Sequence, residues 1–197
     1  MTRRGVIVQS GVEPCRAMSA FVLSQILAGI AFALGVVSFQ FRERRSVLLC
    51  LFFLTLFNSF HFLLLGRPGP AVLLILIGLR FLTAILSTNR AWMYLFLVAS
   101  LGAFLVTFTS PLNLLALTAV LLGTYGSFQP DGRIMRIILM LGNALWLLHN
   151  LLASTPVATL MEASFLISNL LGYWRFYHPR GSTQRRASGV TYTAPRR

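Results

Sequence analysis

The sequence predicts an all-α integral membrane protein of seven transmembrane helices, and three observations carry that prediction. Of its 197 residues 56% are hydrophobic, and the mean hydropathy is +0.76. A soluble domain of this length keeps most of its residues in contact with water and does not carry so apolar a composition. Apolar runs recur at 21–41, 46–66, 70–88, 91–109, 111–128, 133–153 and 157–177. Each approaches the roughly 20 residues needed to cross a hydrocarbon core about 30 Å thick. The charges, only 11% of the residues, fall mostly in the gaps between those runs and in the two termini.

The breaks carry turn chemistry in order along the chain. Arg42-Glu43-Arg44-Arg45 closes the first run, and Gly66-Arg67-Pro68-Gly69-Pro70 separates the second from the third. Asn89-Arg90 follows the third run, and Ser110-Pro111 opens the fifth. Gln129-Pro130-Asp131-Gly132 precedes the sixth and Ser154-Thr155-Pro156 the seventh. Proline and glycine at these points end helices, because one lacks the N–H and the other costs backbone entropy. A transmembrane barrel would need alternating segments of about ten residues, which are absent.

Charge placement sets the orientation. Twelve arginines follow the odd-numbered runs: Arg42, Arg44, Arg45, Arg90, Arg133, Arg136, Arg175, Arg180, Arg185, Arg186, Arg196 and Arg197. The opposite side holds four, Arg3, Arg4, Arg16 and Arg67. The positive-inside rule therefore expects a periplasmic N-terminus and a cytoplasmic C-terminus. Trp92, Tyr94, Tyr173, Trp174 and Tyr177 gather at the inner ends, where an aromatic belt sits. Residues 1–20 read as a polar leader, with Met18 as an alternative start, and 178–197 as a disordered basic tail suited to anionic lipid.

A net charge of +13 raises nucleic-acid binding, but the arginines lie in membrane-loop positions rather than in a basic groove. Cys15 and Cys50 fall in unlike settings and form no disulfide framework. No catalytic constellation, cofactor motif or tight metal-ligand spacing emerges, so neither an enzyme nor a cofactor is expected.

The chain also resembles itself. Ser38-Phe39-Gln40 ends the first run and Ser127-Phe128-Gln129 the fifth, 89 residues later. His61 and His149 are 88 apart, and Pro70 and Pro156 are 86 apart. The common order implies two three-helix repeats, 21–88 and 111–177, joined by a linker helix at 91–109. The extra crossing makes the repeats parallel, as in SWEET-type transporters, with a site between the halves.

Polar residues inside the runs nominate that site. Arg80 lies ten residues into the third run, about 15 Å deep at 1.5 Å per residue, where a charge costs at least about 2.5 kcal/mol. Glu162 is the one acidic residue inside a span and is the expected partner of Arg80. Asn58 and His61 share a face of the second run; Asn143, Trp146 and Asn150 share a face of the sixth, with His149 at its edge. Asn169 aligns with Arg80 through the repeat. Taken singly, each His or Asn reads as an interhelical hydrogen bond. Taken together, Arg80, Glu162, His61, His149, Trp146, Asn150, Asn169, Asn58 and Asn143 read as the lining of one cavity.

The same residues resemble the YgjV family of bacterial inner-membrane proteins. The resemblance runs from about Met18 to Phe176 and rests on Arg42-Glu43-Arg44-Arg45, His61-Phe62-Leu63-Leu64-Leu65-Gly66 and Arg80. It continues through Trp146, His149-Asn150, Met161-Glu162-Ala163-Ser164-Phe165-Leu166, Asn169 and Arg175-Phe176. One departure is Ile77, three residues before Arg80, where the family pattern has a polar Asn. The resemblance implies an inner-membrane location and supplies no substrate. The expected function is a small transporter or permease for a polar or anionic solute, with the histidines or Glu162 available for proton coupling. The alternative is a membrane interaction or assembly protein whose polar residues only hold the bundle together.

Overall fold

Each apolar run forms a helix in the computed structural model, which describes residues 12–108 and 110–177. The helices are α1 (Val12–Ser38), α2 (Arg44–Leu64), α3 (Pro68–Leu86), α4 (Arg90–Thr107), α5 (Asn113–Ser127), α6 (Gly132–Leu152) and α7 (Pro156–Tyr177). Among the described residues there is no strand. Among the described residues, Met18–Ser38 of α1, together with α2, α3 and α6, are the four segments long and apolar enough to cross a membrane. The expected basic tail, 178–197, and the first part of the leader lie outside the described residues.

Local chemistry explains the boundaries. The side chains of Asn89 and Asp131 accept hydrogen bonds from the backbone N–H of Ala91 (2.9 Å) and Arg133 (2.7 Å), capping α4 and α6. At the end of α2, Gly66 takes φ +68° while the Arg67 N–H returns to the Phe62 carbonyl at 2.9 Å. That left-handed step suits glycine, and Pro68 then starts α3 where its missing N–H is harmless.

Two boundaries depart from the sequence reading. Residues 12–20, read as leader, are continuous with α1, because nothing in that stretch breaks a helix and Pro14 falls in its first turn. The run at 111–128 yields only 15 helical residues in α5, about 22 Å long. After Pro111 the N–H groups of Asn113, Leu114 and Leu115 bond three residues back, to Ser110, Pro111 and Leu112. These tight turns take up the start of the run. The helices α4 and α5 are thus apolar but short, whereas α7 is long and more polar, carrying Glu162, Asn169 and Arg175.

The helices pack in two consecutive groups. In one, α2 lies between α1 and α3; in the other, α6 lies between α5 and α7. The groups meet along two seams, α3 against α5 and α1 against α7, while α4 rests on α5. Buried apolar residues concentrate at one end of the bundle, where Phe39, Val47, Leu48, Phe81, Phe128 and Met135 form a core. This end holds the α1–α2 and α5–α6 loops.

Candidate functional site

Arginines close the end occupied by the core. Arg44, at the start of α2, reaches across to the second group. Its Nε donates to the Gln129 carbonyl (2.6 Å), and its Nη2 to the carbonyls of Ser127 (2.6 Å) and Ala84 (2.7 Å). Arg136, in α6 and 0% exposed, reaches the other way. Its Nη1 donates to the Phe39 carbonyl at 2.9 Å, and its Nη2 bonds the carbonyl of Phe41. Carbonyls at helix C-termini lack intrahelical donors, so cations placed there satisfy them and complement the helix dipole. Asn169 locks the second clamp by donating to the Arg136 carbonyl (3.2 Å) and accepting from its Nη1 (3.5 Å).

Gln40 and Ser168 tighten the same seam. Gln40 Nε2 donates to Ser168 Oγ at 2.9 Å, and that hydroxyl donates to the Val36 carbonyl at 2.6 Å. Gly172 lets α7 come this close, since a Cβ there would collide with the Phe39 carbonyl and stand 2.9 Å from Arg136 Nη1.

Above this floor lies a cavity of about 290 Å³ between the two groups. It draws Leu54, Thr55 and Asn58 from α2, and Leu74, Ile77 and Arg80 from α3. The other wall is Val120 and Gly123 of α5, Asn143 and Trp146 of α6, and Met161, Glu162 and Phe165 of α7. Phe39, Leu51, Phe81 and Leu139 belong both to its lining and to the core beneath. From there the lining climbs toward the α2–α3 and α6–α7 loops.

Arg80 is 7% exposed. Its Nη1 donates to Thr124 Oγ1 at 2.9 Å, and the Thr124 hydroxyl donates on to the Val120 carbonyl at 2.8 Å. The guanidinium lies 4.7 Å from the centre of the Phe81 ring, a cation–π contact that partly offsets its desolvation. Its Nε is buried with no hydrogen-bond partner, and so is Asn143 Nδ2. Gly123 leaves room for the guanidinium. Arg80 Nη2 stands 3.6 Å from where a Cβ on Gly123 would lie, and Gly142, next to Asn143, packs against the Gly123 backbone.

Five of the nine residues nominated from the sequence line this cavity: Arg80, Glu162, Trp146, Asn58 and Asn143. The expected Arg80–Glu162 pair is not formed; the hydrogen bond of Arg80 goes to Thr124, and Glu162 lines the cavity without an ion pair. Thr124 wins because α5 packs directly on α3. The other four residues have separate roles. His61 Nδ1 donates to the Ser24 carbonyl at 2.8 Å and ties α2 to α1. His149 Nδ1 lies 3.4 Å from Asn150 Oδ1, and its ring meets Trp146 edge-on at 5.4 Å. Asn150 holds the end of α6, its carbonyl accepting from Thr155 Oγ1 at 3.0 Å. Asn169, 0% exposed, serves the Arg136 clamp. Proton coupling through the histidines therefore has no support from their positions.

Sequence reasoning missed Thr55, Thr124 and both clamp arginines. By position both arginines are charges beside loops, and an arginine near a helix start normally snorkels to the interface. No hydropathy signal separates that role from a buried clamp. Among the described residues, no three His, Cys, Asp or Glu side chains cluster as metal ligands would.

Residues 22–180 match the family described as Imp-YgjV, bacterial inner membrane protein. The inner membrane protein YgjV of Escherichia coli (strain K12) is 32% identical over 161 residues, 81% of this chain and 87% of that protein. The chain belongs to the YgjV family. No solved structure matches it. The stretch matched to the YgjV family contains the whole cavity lining and both arginine clamps, so the site is part of the family region rather than of an appended segment.

Proposed function

We propose that this YgjV-family chain is a small-solute transporter or permease whose seven helices all span the membrane as two parallel three-helix repeats joined by α4. The observation that carries the reading is Arg80: a cation 7% exposed, deep in a helix, facing a cavity and bonded to no carboxylate. A purely structural arginine in a membrane is expected to find a counter-charge or several carbonyls, as Arg44 and Arg136 do with carbonyls. A cavity at the interface of two repeats is also where parallel-repeat transporters bind solute.

The clamps support the repeat. The tripeptides Ser38-Phe39-Gln40 and Ser127-Phe128-Gln129 end α1 and α5, and each is gripped by an arginine of the other group. Ser38 and Ser127 are both fully buried, and each hydroxyl bonds back to its own helix, at the carbonyls of Gly35 and Gly123. With the arginine-rich side in the cytoplasm, the clamps form a closed inner end and the cavity extends toward the periplasm. Transport then requires Arg44 and Arg136 to release their carbonyls on alternate opening.

A thermal-shift screen of detergent-purified protein against sugars, amino acids, nucleosides and organic anions tests this, since a specific ligand stabilises the folded state. A stabilising ligand in the wild type that Arg80→Leu abolishes supports the reading. Absence of any shift, with Arg80→Leu as well folded as the wild type, would overturn it. A C-terminal reporter active only in the cytoplasm checks the orientation.

A further inference from the structure

Arg80 and Glu162 face one cavity without meeting. Opposite charges in an apolar surrounding normally collapse onto one another, because each is costly alone and their attraction is strong at low dielectric. Here helix packing holds them on separate walls, Arg80 on α3 beside α5 and Glu162 on α7. Most of the cavity lining is apolar, Leu54, Ile77, Val120, Leu139 and Phe165 among it. The Arg80 guanidinium keeps a buried Nε with no acceptor, and Asn143 keeps a buried Nδ2 with none. Such orphaned donors are rare in folded proteins and point to a missing acceptor.

We propose that the cavity takes a small zwitterion, an α-amino acid with an apolar side chain, its carboxylate on Arg80 and Asn143 and its ammonium on Glu162. The proposal rests on the reading of the cavity as a solute site and narrows it to one chemical class. A dipolar solute supplies both missing counter-charges at once. A monoanion would pair with Arg80 and leave Glu162 without a cation, and a monocation would pair with Glu162 and leave the Arg80 guanidinium, which keeps its charge, without an anion. A sugar would satisfy neither charge. The volume of about 290 Å³ sits at the small end for ligand pockets, which suits a metabolite of this size.

The test varies the ligand before the protein. The full chain, purified in detergent, is titrated by thermal shift with L-alanine and L-leucine. Each is matched to an analogue lacking the amine (propanoate, 4-methylpentanoate) and one lacking the carboxylate (ethylamine, 3-methylbutylamine), with glucose as a neutral control. The expected result is stabilisation by an amino acid and apparent affinities about 100-fold weaker or worse for its one-charge analogues. In Glu162→Gln the preference should invert, with the amino acid losing its shift and the matching carboxylate gaining one. If that variant fails to fold, the wild-type series decides alone. Equal stabilisation by a monocarboxylate, an amine or glucose overturns the zwitterion while leaving a solute site. No shift with these ligands or with any class in the wider screen overturns both readings.

Discussion

Arg136 and Phe39 lie 97 residues apart in the chain and meet through a 2.9 Å hydrogen bond, the guanidinium of α6 donating to the carbonyl beyond the end of α1. Arg44 makes the complementary reach from α2 to Ser127 at the end of α5. Each half of the bundle thus finishes the helix terminus of the other. The arrangement satisfies orphan carbonyls with one fully buried cation, Arg136, and one half-buried cation, Arg44, and it fixes the end of the molecule beneath the cavity.

The Arg136 clamp should dominate the stability of that end. Arg136→Leu leaves the carbonyls of Phe39 and Phe41 and the side chain of Asn169 without donors. A loss of about 2–6 kcal/mol is expected, given roughly 1–3 kcal/mol for each of the two buried acceptors left unsatisfied, the Phe39 carbonyl and Asn169 Oδ1. Reversible unfolding in mixed micelles measures it, and a change within about 0.5 kcal/mol would contradict the assigned role.

Close approach makes the neighbouring glycine intolerant. Gly172→Ala drives a methyl into the Phe39 carbonyl, so destabilisation of about 1–3 kcal/mol is expected. Gly29 has nothing within 4 Å of its would-be Cβ, and Gly29→Ala should stay within about 1 kcal/mol of the parent. Melting temperatures of the two variants side by side separate a local clash from a general effect of adding methyl groups.

Weakening the Arg44 clamp should loosen the closed end. In a background lacking Cys15 and Cys50, a cysteine at Leu139, on the cavity floor, is expected to be shielded from a membrane-impermeant maleimide applied from the Arg44 side. Adding Arg44→Ala should raise its labelling rate several-fold. An unchanged rate would mean that the apolar core alone seals the floor.

The histidine of α2 should prove dispensable for binding. His61 bonds the Ser24 carbonyl and does not line the cavity, so His61→Gln should cost about 1 kcal/mol of stability and preserve the ligand-induced shift. Thr124→Val removes the hydroxyl that orients Arg80 and should weaken that shift even where the protein folds normally. The two variants reversing these outcomes would relocate the site toward Ser24.

Much of the helical framework was legible from residue order. In lipid a spanning backbone must satisfy its own hydrogen bonds, so crossings appear as uninterrupted apolar runs with prolines, glycines and caps at their ends. Asn89, Asp131 and Pro68 stand in the breaks between runs and begin helices in the fold, α3 two residues ahead of the run that opens at 70. The start of α1 was not legible, because propagation of a helix needs no apolar face and hydropathy sees nothing else. The length of α5 was also hidden, since the turns after Pro111 are made of residues as apolar as the helix they precede.

The sequence by itself determined that this chain is a helical bundle of a bacterial inner-membrane family and that Arg80 sits inside an apolar segment, where a bilayer tolerates few charges. It also showed the tripeptide Ser38-Phe39-Gln40 recurring as Ser127-Phe128-Gln129, 89 residues later. Only the tertiary structure decided the partners: Thr124 rather than Glu162 for Arg80, Arg136 for Asn169, and Ser24 for His61. The reason is one of scale. Hydropathy is set by composition along one helix, whereas a hydrogen bond is set by which helices touch and at what rotation, to within about 0.5 Å. The hydrogen bond of Arg80 to Thr124 follows the packing of α5 on α3, and the cavity carries Arg80 on one wall and Glu162 on another.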